Sequence, residues 1–429
     1  MRIFGLLGRH LQHSYSPKIH AGLYPYDYRL FEKEPEDVET FLKTGKWDGL
    51  NVTIPYKKTA YSLADVLGED ARRTGSVNTL IRLPDGRLYG ESTDVYGFRA
   101  MVKHSGIPVE GKKVLVLGAG GAALAVTAAL QDLLAEEIVI VSRRPENARE
   151  SFSCLLKGEN TEERKPEPVF CGYDGLSEHP DADVIVNATP VGMFPENGAS
   201  PADLRRFTNL KGVFDLIYNP CRTALLLQAE ELRIPFENGL YMLVAQAKKS
   251  AEIFTKEALD DRLIDRIYEE LLKEMQNIAL IGMPGVGKTT EGKKIAAAEG
   301  RDFCDTDEEI EKRFGRTPSD IIRTQGEEAF RQMETEVLRD VSKRSHAVIA
   351  TGGGIVTRPE NYPLLHQNST ILWLKRDVNV LPTDGRPLSQ AGQLEKLYEA
   401  RKPLYKAFAD EIRDLDRPAA ETGEERTDK

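Results

Sequence analysis

The sequence predicts an α/β protein built as three successive domains, and three observations predict it. Lys113–Leu117 reads as a buried strand running into Gly118-Ala-Gly-Gly-Ala-Ala123, a helix to about Leu134 and a second strand, Glu137–Val141. That is a βαβ unit with glycines at its first turn. The apolar run Ile278–Ile281 leads into Gly282-Met-Pro-Gly-Val-Gly-Lys-Thr289 and a helical stretch from Thr290 to about Ala298. A loop of this kind opens a domain at its first strand, yet here it lies deep in a chain of 429 residues. A complete body therefore precedes it, and the length suits two to three domains.

Composition narrows the function classes. The chain has 58 basic and 68 acidic residues, a net charge of −10. That balance disfavours a nucleic acid or an anionic membrane as partner. Cys154, Cys171, Cys221 and Cys304 are scattered without a C-x-x-C pair, which points to a reducing cytoplasm rather than a metal or disulfide framework. The N-terminal apolar run is too short for a signal peptide. Val114–Leu130 is 17 residues without a charge. Gly118, Gly120 and Gly121 near its start, with Lys113 and Asp132 at its flanks, favour strand, turn and helix over a membrane span.

Arg2–Leu7 reads as a first strand, followed by a polar loop with Ser14 and Ser16 and a helix from about Lys18. In an extended loop, hydroxyls two residues apart face the same side, and such a pair suits a carboxylate. The strand Leu50–Ile54 is halted by Pro55. Asn51 and Thr53 lie on one face of it, and Lys57 lands just beyond its end. Ser76-Val-Asn-Thr79, a hairpin turn at Pro84-Asp85-Gly86 and Gly90-Glu-Ser-Thr-Asp94 follow. These motifs in this order resemble the shikimate dehydrogenase family. The resemblance implies that Lys57 and Asp94 form the catalytic pair. It implies that Asn51, Thr53, Asn78 and Asp94 hold the ring hydroxyls, and Ser14 and Ser16 the carboxylate. The family usually carries Asn before Thr-Asp, where this chain has Ser92.

The turn Gly118, Ala119, Gly120, Gly121 and Ala122 reads as a Rossmann-type cofactor loop, with pyrophosphate at the helix N-terminus. One strand later an NAD enzyme places Asp or Glu for the ribose hydroxyls. This chain has Ser142-Arg143-Arg144 there, and the arginines offer a fork to a 2′-phosphate. NADP(H) is the expected cofactor. By the same resemblance Asn187, Ala188, Thr189 and Gly239 lie along it, while Tyr218 and Gln246 touch substrate. The likeness covers residues 1 to about 272. It divides them into a substrate domain, 1–97 completed by helices at about 240–272, and a cofactor domain, 98–239. The charged amphipathic helix Ala258–Met275 forms the link.

In the second glycine loop the N–H groups of Gly285 and Gly287 turn inward on phosphate oxygens. Lys288 reaches the β- and γ-phosphates, Thr289 ligands Mg²⁺, and Thr290 continues the helix start. This is the phosphate loop of a P-loop kinase. Asp305 and Asp307 share one face of a short strand end, Arg331 and Glu334 share one helix face, and Val348–Gly354 is a strand breaking into three glycines. With Arg386-Pro-Leu and Arg401-Lys-Pro-Leu-Tyr405, this order is similar to the shikimate kinase family. The resemblance implies ATP with Mg²⁺, and Asp305 on the metal side with Thr289. It implies Asp307 on the substrate hydroxyl, Arg331 and Arg401 on the shikimate carboxylate, and Gly353 and Gly354 against the ring. Arg386 belongs to a lid over ATP and acts with Lys288 and Asp307 in catalysis. Two departures stand out. Lys375–Gly385 is short and holds only Arg376, and the end Asp410–Lys429 is charged, reading as disordered from about Pro418. The kinase domain is thus expected over 276–417, with an open adenine site.

The expected function is bifunctional: NADPH-dependent reduction of 3-dehydroshikimate, then ATP-dependent phosphorylation of shikimate to shikimate 3-phosphate, in the cytoplasm. Partners are small molecules, with a homodimer left open. Two alternatives stand beside it. One is a quinate-type dehydrogenase joined to another small-polyol kinase. The other is a dehydrogenase carrying a weakly active, nucleotide-sensing domain.

Overall fold

The computed structural model describes residues 2–11, 14–156, 165–381, 394–416 and 425–426. They form three six-stranded sheets, and every long apolar run of the sequence lies in one of them or in a helix packed on it.

The first sheet has the order Asp27–Glu32, Ile3–Gly8, Gly49–Val52, Thr79–Arg82, Leu88–Glu91, Val66–Leu67. Its first three strands are parallel. The hairpin 79–91 is antiparallel and turns at Gly86, whose φ of 87° is open to glycine. Leu7, Leu50, Val52 and Leu80 bury one face against Val38, Leu42 and Trp47.

The second sheet is wholly parallel, in the order Phe236–Asn238, Gly212–Asp215, Val184–Asn187, Lys113–Leu117, Glu137–Val141, Val169–Cys171. Val114–Leu117, Ile138–Val141 and Val184–Val186 are continuous apolar runs and buried, as strands covered on both faces are. The uncharged run from Val114 is strand plus the buried helix Gly121–Asp132, as its glycines indicated. No helix among the described residues is long and apolar enough to cross a membrane.

The third sheet has the order Asp302–Asp305, Ala347–Ala350, Asn277–Ile281, Ser369–Lys375, Glu411–Asp414, Glu425–Arg426, parallel except for its last pair. Within the tail expected to be disordered, Glu425 and Arg426 pair with Ile412 and Glu411. The rest of that tail lies outside the described residues.

The chain divides into two compact units. The first comprises Met1–Met193, Gly198–Tyr218 and Leu225–Leu271. The second comprises Phe194–Asn197, Asn219–Ala224 and Leu272–Lys429. Two short stretches of the expected cofactor domain therefore count with the second unit. The first unit holds both leading sheets together through the helices Asp94–Ser105 and Leu240–Thr255. Gly97 lets them touch: a Cβ there would lie 2.8 Å from the Met242 carbonyl oxygen and 2.9 Å from the Gln246 Cβ. The link helix is Arg262–Met275. It buries Ile264, Ile267, Leu271 and Met275, one stripe at helical spacing.

Candidate active sites

In the first unit, Lys57 and Asp94 each open a helix, Lys57–Leu63 and Asp94–Ser105. The Lys57 Nζ lies 2.6 Å from Asp94 Oδ2. Asn78 Nδ2 donates to the other carboxylate oxygen, Asp94 Oδ1, at 2.9 Å and to Gln246 Oε1 at 3.1 Å. The Asn78 amide cannot flip, because its Oδ1 accepts from the backbone N–H of Thr93 at 2.8 Å. Lys57, Asp94, Asn78 and Gln246 thus form one cluster, drawn from three helices and a loop.

Asn51 joins it from below. Its Nδ2 donates to Ser250 Oγ at 2.8 Å, and its Oδ1 accepts from the Tyr28 hydroxyl at 2.8 Å. Thr53 follows the strand Gly49–Val52, its methyl beside Gly8. The Ser14–Ser16 segment brings Tyr15 edge-on to Tyr218, ring centroids 6.4 Å apart. The two serines do not sit in an extended loop, however. Tyr15 has φ −78° and ψ −5°, a helical conformation, so the strand-like alternation that would align their hydroxyls does not hold. Instead Ser14 Oγ accepts from the Ser16 N–H at 3.2 Å.

The cofactor turn follows the strand Lys113–Leu117, which lies between Val184–Asn187 and Glu137–Val141. Chain connections leave this strand in both directions, the position at which open α/β sheets form a ligand crevice. Gly118 has φ 105°, and a Cβ there would press on Thr189 Cγ2 at 2.9 Å and the Ala188 carbonyl at 3.0 Å. This brings the Asn187–Thr189 loop against the glycine turn. Asn187 Oδ1 accepts from Thr189 N and Oγ1 at 3.0 and 2.7 Å, and its Nδ2 donates to buried Asp215 at 3.0 Å. A Cβ on Gly120 or Gly121 meets nothing within 4 Å. The helix N-terminus is therefore open, and it fits a pyrophosphate. Ser142 Oγ accepts from the Arg144 N–H at 3.2 Å, and Arg143 and Arg144 are exposed. Gly239 caps the helix Leu240–Thr255, and the Leu216 carbonyl fills the space where a Cβ would stand.

In the second unit the loop after Asn277–Ile281 carries positive φ at Gly282, Gly285 and Gly287, as backbone turned inward on an anion requires. Lys288 opens the helix Lys288–Glu299, and its Nζ donates to the carbonyls of Gly282 and Met283 at 2.8 and 3.0 Å. Thr289 Oγ1 donates to Asp305 Oδ2 at 2.7 Å. Two hard oxygen ligands at that spacing fit Mg²⁺. Asp305 and Asp307 do not share a strand face. Asp305 ends the strand and caps the helix Thr306–Phe314, its Oδ1 accepting from the Asp307 N–H at 3.0 Å. The cap turns the chain into a helix, so the two-residue period fails and Asp307 points elsewhere. It points to Gly352, whose Cβ would lie 3.3 Å from Asp307 Oδ1 and 2.1 Å from Glu334 Oε1.

Arg331 Nη1 donates to Glu334 Oε2 at 2.7 Å, in keeping with their shared face, and Nη2 donates to Glu327 at 3.0 Å. Burial pushes the Glu334 carboxyl up, against the pull of Arg331. Gly354 lies flat on the Arg331 guanidinium, and Gly353 on Pro284 of the phosphate loop. Arg401 Nη1 and the Tyr405 hydroxyl both donate to the Gly353 carbonyl, at 3.1 and 2.5 Å. Asp307, Arg331, Gly353, Gly354 and Arg401 thus surround one space beside the phosphate loop. Arg386 lies outside the described residues.

Comparison with known proteins finds two families along the chain. Residues 6–80 match the shikimate dehydrogenase substrate binding domain, and residues 284–426 match shikimate kinase. A shikimate dehydrogenase (NADP(+)) of Clostridium perfringens is 34% identical over 279 residues, covering 63% of this chain and 98% of the relative. The chain belongs to the shikimate dehydrogenase family. Among solved structures, the chorismate mutase/shikimate 5-dehydrogenase fusion of Clostridium acetobutylicum is 38% identical, with a TM-score of 0.57 over 64% of this chain and 98% of that one. The shikimate 5-dehydrogenase of Thermus thermophilus, solved with NADP(H) and shikimate, is 29% identical, with a TM-score of 0.55 over 63% and 99%. Beyond its shikimate dehydrogenase half the chain carries a shikimate kinase domain.

Four residues of the shikimate dehydrogenase half that sequence reasoning passed over support this site. Thr79, Thr93 and Ser250 place three buried hydroxyls 2.8 to 3.4 Å apart beneath Asn51, Asn78 and Gln246. Asp215 braces Asn187. Isolated Ser, Thr and Asp residues carry no spacing signal. Thr79 and Thr93 adjoin quoted motif residues, so proximity to Asn78 and Asp94 was the one available hint.

Proposed function

We propose that this chain reduces 3-dehydroshikimate with NADPH in its first half and phosphorylates shikimate with ATP in its second, as a cytoplasmic biosynthetic enzyme. The observation that carries the reading is the Lys57–Asp94–Asn78 cluster. Bound NADPH supplies a hydride to the carbonyl carbon. The Lys57 ammonium is held by Asp94 Oδ2, whose partner oxygen is engaged by Asn78. It is thereby aimed to give a proton to the oxygen that becomes the hydroxyl. Both carboxylate oxygens are occupied, so Asp94 orients rather than wanders. Asn51, Thr53 and Gln246 line the polyol side, and Ser14, Ser16 and Tyr218 the carboxylate end. The turn Gly118–Ala122, Asn187–Thr189 and the Ser142–Arg144 corner hold NADP(H).

In the kinase half Thr289 and Asp305 would hold Mg²⁺, which would supply positive charge against the phosphates. Asp307 takes the acceptor hydroxyl, while Arg331 and Arg401 hold the substrate carboxylate. Lys288 already points into the loop that cradles the phosphates. Such catalysis is positioning plus charge stabilisation. A coupled assay tests the whole: 3-dehydroshikimate, NADPH and Mg·ATP should yield NADP⁺, ADP and shikimate 3-phosphate in equal amounts. NADPH oxidation without ADP formation would leave the nucleotide-sensing alternative, and turnover of quinate but not shikimate the other.

A further inference from the structure

Beneath the dehydrogenase pocket lies an aromatic group that the reaction as described does not use. Tyr28, on the edge strand Asp27–Glu32, donates its hydroxyl to Asn51 Oδ1 at 2.8 Å. His20 stacks on Tyr28, ring centroids 4.0 Å apart and planes at 12°. Its Nδ1 lies 2.5 Å from the Tyr26 hydroxyl. Burial lowers the His20 pKa to about 3, so the ring is neutral and adds no charge to the pocket.

The direction of the hydrogen bonds is fixed. Ser250 Oγ donates to the Gln246 backbone carbonyl at 3.0 Å, and a carbonyl only accepts. Ser250 must therefore accept from Asn51 Nδ2. Asn51 then turns its oxygen to Tyr28, and Tyr28 donates to it. The line runs one way, from Tyr28 through Asn51 and Ser250 to the Gln246 backbone.

We propose that the Tyr28 hydroxyl is a positioning group for substrate: it fixes the Asn51 amide with its oxygen toward the phenol and its nitrogen toward Ser250. The proposal rests on the dehydrogenase reading above. It makes Tyr28 act through Asn51 without touching substrate.

Tyr28→Phe keeps the ring and its stack on His20 and deletes only the hydroxyl. The expected result is a KM for 3-dehydroshikimate raised roughly 3- to 10-fold, with kcat changed less than about twofold, as for the loss of one hydrogen bond. The KM for NADPH and the phosphorylation of shikimate should not move. In an Asn51→Ala background the same change should cost less, since contacting residues that act together are non-additive. An unchanged KM, fully additive effects, or a joint fall of kcat, both KM values and the melting temperature would each overturn the proposal. If unmodified protein reduces no 3-dehydroshikimate, the dehydrogenase reading falls and this proposal with it. If it does and Tyr28→Phe matches it, this proposal alone falls. Should Tyr28→Phe not fold, fluorotyrosine placed at position 28 and followed by fluorine NMR decides. Its signal should shift with shikimate and stay still with NADP⁺ alone, and no shift with shikimate overturns the proposal.

Discussion

Two side chains in the first unit give sharp single-residue tests. Lys57→Ala removes the proposed proton donor and leaves Asp94 and Asn78 facing each other, so reduction should fall by about 10²–10⁴ while the KM for NADPH changes little. Stopped-flow or steady-state NADPH oxidation measures this, and near-normal kcat would remove Lys57 from the chemistry. His20 tests folding rather than turnover. Its pKa is about 3 in the fold against an ordinary 6.5. Between those values the unfolded chain binds a proton that the folded one does not, so stability falls as pH drops below 6.5. At about pH 5 this amounts to about 2 kcal/mol. Urea unfolding of His20→Gln at pH 7 and pH 5 should show a smaller loss on acidification than the unmodified protein, by about that amount. An unchanged difference would mean that His20 is protonated in the fold. Lys57, Asp94, Asn51 and Asn78 were legible in the sequence because each sits in a short motif at a strand or helix end. Tyr28 and Ser250 were not. They meet Asn51 across separations of 23 and 199 residues, which only tertiary packing closes.

At the scale of elements, the strand–turn–helix junctions were readable and the turns beside them were not. Both glycine loops form where they were expected, since glycine at positive φ leaves a sequence trace. Ser14–Ser16 and Asp305–Asp307 depart from expectation for one reason: a spacing of two reads as strand, but the chain is already entering a helix at both places. The Ser142–Arg144 corner carries the next prediction. Its arginines are exposed and held by the Arg144–Ser142 bond, free to grip a 2′-phosphate. Replacing both by Ala should raise the KM for NADPH on the order of 10- to 100-fold, the loss of one or two charge-assisted hydrogen bonds. Use of NADH should stay nearly constant. Equal use of both cofactors by the unmodified protein would contradict this. In the second unit the strand Glu411–Asp414 is only half-buried, with Arg413 paired to Glu291 at 3.4 Å. Among the described residues this strand offers little apolar surface to a base, and stacking and buried area act on binding more than on chemistry. Titration at saturating shikimate should give a KM for ATP of roughly 1 mM, high in the common range, with measurable turnover of GTP. A low, strictly ATP-selective KM would mean that another segment covers the base.

At the scale of the molecule, the two sets of residues do not overlap. Every side chain assigned to reduction lies in the first unit, and every described side chain assigned to phosphorylation lies in the second. No hydrogen bond quoted for either cluster draws on the other unit. Lys57→Ala should therefore abolish reduction and leave phosphorylation of added shikimate intact, and Lys288→Ala should do the reverse. Loss of the lysine proposed to reach the β- and γ-phosphates would remove charge stabilisation that the transition state needs. The consequence reaches beyond either variant. Shikimate is a small soluble anion, and a site that releases it supplies any second site in the same solution. Mixing Lys57→Ala protein with Lys288→Ala protein should then restore conversion of 3-dehydroshikimate to shikimate 3-phosphate, after a lag while free shikimate accumulates. The lag should shorten as the Lys288→Ala protein, the active reductase, is raised in concentration. Unmodified protein at matched activities should show the same lag if its intermediate is released, and none if it is passed on directly. A mixture that forms free shikimate but no phosphate ester would show that the kinase half needs a competent first half on its own chain, and the independence argued from the separate clusters would be wrong.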